Sequence, residues 1–168
     1  MSPAGARLAS PLVSLAAGAE HFFKTPGEPS AMLAVMHIVE DGRPGAPALL
    51  LIQNAAAPIA LWDPAVPSLA DAYRVIRADL LGSGRSNSAA GYDVPAQASR
   101  AGAALDGLGA SRVTVIGHSS GGMVATALAE QRPGQVAAIV LINTGPSPDA
   151  KIPDPPVARL LNAPLAGR

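Results

Sequence analysis

The sequence has no cysteine among its 168 residues. That excludes disulfides, thiolate metal sites and a cysteine nucleophile, and it leaves the compartment open. Charge is also scarce: 14% of residues are charged, and 12 basic side chains balance 12 acidic ones. With no basic excess to neutralise phosphates, nucleic acid is not expected as a partner. No apolar run reaches the 18 or so residues of a membrane-crossing helix, so no membrane span is expected. Scattered Asp and Glu residues form no metal-ligand cluster.

Small and apolar residues are abundant. Hydrophobic residues make up 49% of the chain, enough to bury a core and unlike a chain that stays disordered. The length suits one domain. Residues 1–20, "MSPAGARLASPLVSLAAGAE", carry one positive charge, a weakly apolar middle and a small-x-small ending at Ala17-Gly18-Ala19. A signal peptide has that order of parts. The basic region is thin and Pro11 interrupts the apolar stretch, so a cytoplasmic location is expected and secretion is the alternative.

Residues 24–30 read as a loop. Residues 31–39, "AMLAVMHIV", read as a strand closed by the turn signal "EDGRPGAP". "ALLLIQN" (48–54) is continuously apolar, as expected of a strand buried on both faces. A short helix fits within 63–72, a strand at 73–80, a Gly/Ser-rich loop after it, and an Ala-rich helix at 95–110. "RVTVIG" (112–117) is a β-branched strand. A helix at 121–134 stops at Pro133-Gly134, and residues 135–145 read as another buried strand. Strands and helices alternate, which implies a mostly parallel sheet covered on both faces, an α/β fold in three layers. The tail 146–168 is Pro-rich and holds one short amphipathic piece, "VARLLNAPL".

The chemistry concentrates at residues 117–122, Gly-His-Ser-Ser-Gly-Gly. Ser119 lies just past a strand and just before a helix. A sharp turn there strains the middle residue and needs small neighbours, which Gly117, Gly121 and Gly122 supply. The Ser119 hydroxyl would stand at a helix N-terminus, where backbone N–H groups favour developing negative charge. The Ser120 N–H is one candidate oxyanion donor. Gly-x-Ser-x-Gly carries weight in this strand-turn-helix context and little without it.

Three stretches together resemble the α/β-hydrolase family, over about residues 30–165. They are "GHSSGGMVATALAEQRP", "RADLLGSGRS" and "LLLIQNAAAPIALWDPAVPSLA". In the second, Asp79, Gly82, Gly84 and Ser86 match the family's Asp-x-x-Gly-x-Gly-x-Ser loop. In the third, Gln53-Asn54 stands where the family has His-Gly. The resemblance implies that Ala55 supplies the second oxyanion N–H and that Gln53 braces the loop in place of His. Asn54 is expected to tolerate a positive φ there. It also implies a serine hydrolase acting on ester-like small molecules without a cofactor.

The family orders its triad as Ser, then an acid, then His along the chain. This sequence has His21, His37 and His118 and none after Ser119. The chain is therefore expected to be the N-terminal part of a longer hydrolase, inactive alone, with triad acid and base elsewhere and C-terminal strands missing. The expected organisation is an N-terminal extension (1–30), the hydrolase core (31–145) and the start of a cap (146–168). Asp149 and Asp154 follow the last strand, and Asn143 stands at its end. The alternative function is a non-catalytic α/β-hydrolase-like binding protein. A dinucleotide-binding domain is ranked below both, because Ser119 would stand at the fingerprint's second glycine and block the pyrophosphate. His118 is expected to be packed or solvent-facing, His37 a strand residue, Trp62 a packing anchor, and "GSGRS" (82–86) a flexible surface loop.

Overall fold

The computed structural model describes residues 18–24, 35–87 and 91–145. The signal-like start up to residue 17, the loop expected at 24–30 save Lys24, the first four residues of the strand expected at 31–39 and the Pro-rich tail with Asp149 and Asp154 lie outside the described residues. The strands are β1 (Ala19–Lys24), β2 (Val35–Asp41), β3 (Ala48–Ile52), β4 (Arg74–Ala78), β5 (Val113–His118) and β6 (Val136–Ile142). The helices are α1 (Val66–Ala70), α2 (Val94–Gly107) and α3 (Ser120–Gln131).

The six strands form one sheet in the order β1-β2-β4-β3-β5-β6. β1–β2 and β2–β4 are antiparallel, while β4–β3, β3–β5 and β5–β6 are parallel. β3 lies between β4 and β5, and all five of its residues are buried. Its side chains alternate between two cores. Ala48, Leu50 and Ile52 join Ile76, Val115 and the inner faces of α2 and α3. Leu49 and Leu51 join Val66, Ala70 and Val75 beside α1. A continuous apolar run is what a strand covered on both sides requires. Trp62 packs against this second core, as an anchor should.

α2 begins where Asp93 caps it, its carboxylate accepting from the Ala96 N–H at 3.0 Å. Ala98, Ala101, Ala104 and Leu105 turn inward at helical spacing. The helix ends in a left-handed Gly109 at φ 61°, where the Ala110 N–H returns to the Leu105 carbonyl.

Two elements differ from the sequence expectation. β1 falls in the stretch read as an N-terminal extension, yet it pairs along its whole length with β2 and lengthens the sheet. β6 was expected to be buried but is not: Ile139, Val140, Leu141 and Ile142 are 38–48% exposed. Among the described residues β6 pairs only with β5. An apolar run states that a strand can be buried; the neighbours decide whether it is.

Candidate active site

The crossing from β5 to α3 places Ser119. Its backbone sits at φ 54°, ψ −123°, a region that L-residues rarely occupy. Such strain costs about 1–3 kcal/mol and persists only where the surroundings impose it. Here the Ser119 N–H donates to the Ile142 carbonyl at 2.9 Å, and the Gly122 N–H donates to the Ser119 carbonyl at 3.0 Å. The three glycines are required by close approach. A Cβ at Gly117 would lie 2.5 Å from Gly122 Cα. One at Gly121 would lie 2.5 Å from the Gln53 carbonyl oxygen and overlap that of Ile52. One at Gly122 would overlap the Thr144 side chain. The helix start is thus pressed against the end of β3, which brings the 53–59 turn beside Ser119 and Ser120.

In that turn Gln53 is fully buried, and its Nε2 donates to Asp79 Oδ1 at 3.3 Å. The expected bracing role of Gln53 has this contact as its basis. Asn54 departs from expectation: its φ is not positive. The turn forms instead through its own side chain, Oδ1 accepting from the Ala56 N–H at 3.0 Å, while its carbonyl accepts from the Ala57 N–H at 3.1 Å. Ala55 is exposed, and its N–H donates to Ser120 Oγ at 3.0 Å. The structure therefore brings Gln53, Asn54, Ala55, Gly117, Ser119, Ser120, Gly121 and Gly122 into one cluster at the carboxyl ends of β3 and β5. Ligands of open α/β sheets bind at this edge.

Behind the turn stands Asp79, 1% exposed. Oδ1 accepts from Gln53 Nε2 and, at 2.8 Å, from the Ile59 N–H, so it ties both ends of the 53–59 segment. Oδ2 accepts from the Arg85 N–H at 3.0 Å and lies 2.8 Å from His37 Nδ1. The carboxylate can only accept, so the ring proton belongs on Nδ1. Ser86 Oγ donates to the Asp79 carbonyl at 2.6 Å and accepts from the His37 N–H at 2.8 Å. The 82–86 segment is a surface loop, with Gly82, Gly84 and Arg85 exposed, and these bonds together with buried Ser83 tie it to the core. Gly84, at φ 51°, is needed because a Cβ would overlap the Asp79 carboxyl group.

The His37–Asp79 pair leaves little mark in the sequence. Its only trace was the Asp-x-x-Gly-x-Gly-x-Ser spacing; nothing in the order of residues joins Asp79 to a strand 42 residues earlier. A cleft of about 380 Å³ is lined by His37, Ile59, Asp79 and Arg85, and Ser119 does not line it.

No histidine meets Ser119 among the described residues. His37 is on β2, and β4 and β3 stand between it and β5; three strand spacings amount to about 14 Å. His21 is one strand farther. His118 ends β5, half-buried, with Nδ1 lacking a hydrogen-bond partner. Asn143 follows β6 at φ 48°, exposed. No group of three or more His, Asp or Glu residues among those described could hold a metal ion. No helix among them is long and apolar enough to cross a membrane.

A family model described as the alpha/beta hydrolase fold matches residues 47–165. RutD of Stutzerimonas stutzeri, named for carbamate hydrolysis, is 38% identical over 118 residues, 68% of this chain and 44% of that protein. The lipase LipV of Mycobacterium tuberculosis is 38% identical over 112 residues, 67% of this chain and 42% of its own length. The crystal structure of Cfl2 from Burkholderia cenocepacia superposes with a TM-score of 0.74 at 26% identity, over 88% of this chain and 50% of that one. The chain thus spans less than half the length of the two curated relatives.

Proposed function

Because the chain belongs to the α/β-hydrolase fold family, we propose that it is the nucleophile-bearing part of a serine hydrolase acting on ester-like carbonyl compounds. Ser119 Oγ attacks the carbonyl carbon, and the π electrons move onto oxygen. The Ser120 and Ala55 N–H groups hold that oxyanion. Collapse of the tetrahedral intermediate expels the alcohol, and water then releases the acid from the acyl-serine. The observation that carries this reading is the Ser119 backbone, held at φ 54° between β5 and α3. A non-Gly residue kept in such strain points to a functional demand on its side chain.

The Ser119 proton needs a base, which the triad logic assigns to a histidine oriented by an acid. None of His21, His37 and His118 hydrogen-bonds Ser119 among the described residues. We assign base and acid to the part of the relatives' length that this chain does not span. The names of RutD and LipV support a carbonyl substrate with a heteroatom leaving group; they favour neither carbamate nor lipid for this chain.

A second reading is a binding protein that keeps the elbow and lacks the base. The missing histidine beside Ser119 is what favours it. A fluorophosphonate probe separates the two, because only an activated serine is phosphonylated. Labelling is expected on Ser119 in the full-length protein and should vanish in Ser119→Ala. A folded full-length protein that resists the probe would establish the binding reading instead.

A further inference from the structure

One hydrogen bond at the site serves no step of that chemistry. The Ala55 N–H, the second proposed oxyanion donor, already donates to Ser120 Oγ at 3.0 Å. The residue that accepts is also the one whose backbone N–H is the first donor. An oxyanion donor works when its N–H points at an oxygen about 2.7–3.1 Å away. In the free protein that oxygen is a hydroxyl of the chain itself, and the bond lies at an exposed position.

We propose that Ser120 Oγ is a reversible occupant of the oxyanion site: it takes the Ala55 N–H when the site is empty and must rotate away before a ligand oxygen can replace it. This rests on the assignment of Ala55 and Ser120 as the donor pair. The exchange needs one χ1 rotation of a small side chain. A neutral carbonyl oxygen competes with the hydroxyl on nearly equal terms. A developing oxyanion or a carboxylate outcompetes it, because charge-assisted hydrogen bonds are about twice as strong as neutral ones. The cost of displacing the occupant is the same for every ligand oxygen that takes the Ala55 N–H, so it weakens binding uniformly and raises KM without raising kcat. Its hold equals one exposed neutral hydrogen bond, roughly two- to tenfold in affinity.

The test is Ser120→Ala in the full-length protein, which removes only the hydroxyl at a helix position that accepts alanine. Butyrate is the probe, titrated while the backbone amide shifts of Ala55 and position 120 are followed by NMR. The butyrate dissociation constant should fall roughly two- to tenfold in Ser120→Ala and return to the parent value in Ser120→Thr. An unchanged or weaker affinity in Ser120→Ala overturns the proposal, as does an Ala55 amide that butyrate leaves unmoved in both proteins. Fluorophosphonate labelling of the same samples keeps the two readings apart. Tightened butyrate binding without labelling removes the serine-hydrolase reading and leaves the occupant. Labelling with unchanged butyrate binding does the reverse.

Discussion

Asp79 is the residue on which the site depends most. One buried carboxyl group accepts from Gln53, Ile59 and Arg85 and pairs with His37, joining the 53–59 turn, β2 and the 82–86 segment. Asp79→Ala would leave four donors without an acceptor, and the buried three, Gln53 Nε2, the Ile59 N–H and His37 Nδ1, would cost about 1–3 kcal/mol each. The expected result is a loss of at least about 3 kcal/mol, read from the urea midpoint, with faster amide exchange across 53–59. Unchanged stability would show that water or relaxation replaces the carboxylate. The place of Gln53 at the end of β3 was legible because it stands where the family has His; its contact with Asp79 was not. The part played by His37 was not, since a histidine in an apolar strand looks like any packed strand residue.

At the scale of elements, α2 and α3 are joined by a polar clasp at their exposed ends. Arg132 Nη1 donates to Asp106 Oδ2 at 2.8 Å, and Gln135 Nε2 donates to Oδ1 at 2.9 Å. The hydrogen bond from Arg132 is the main cause that lowers the Asp106 carboxyl below its ordinary 3.8; desolvation opposes it, and the Gln135 hydrogen bond and the Arg132 charge add to it. A carboxyl held lower in the folded state contributes stability above its unfolded value. That contribution is lost as pH falls through the folded value. Asp106 is 53% exposed, so solvent screening keeps the stability effect small and the titration itself is the sensitive measure. An NMR titration should find Asp106 below 3.8 and Arg132→Ala should raise it. No rise would mean that the pair does not persist in solution. The helices and the elbow were legible from periodicity, Gly and Pro, although α2 and α3 each end three residues before the expected stop. The run "VAAIVLI" reads the same whether or not a neighbour covers it, while the expected lack of the C-terminal strands already implied an unpaired apolar edge.

At the scale of the whole molecule, an exposed apolar strand at the end of a sheet is a template for pairing with another chain. Val140 and Leu141, 45% and 48% exposed, present such a surface on β6. The 168-residue chain is expected to self-associate, its light-scattering mass rising with concentration, and Leu141→Lys should reduce that rise. A concentration-independent monomer would show the edge to be protected. The same strand holds the elbow in place, since its last carbonyl, of Ile142, accepts from the Ser119 N–H.

Local chemistry determined most of the architecture. Continuous apolar runs, helical spacing of alanines and the Gly-x-Ser-x-Gly turn each act over a few residues, so the α/β order and the place of Ser119 could be read along the chain. Tertiary structure alone decided what depends on distant residues meeting. It set His37 against Asp79 and turned Ser120 Oγ to the Ala55 N–H, 65 residues away. It also put β1 in the sheet beside β2. Hydrogen bonds between remote segments and the burial of a strand are properties of neighbours, and the order of residues does not name the neighbours.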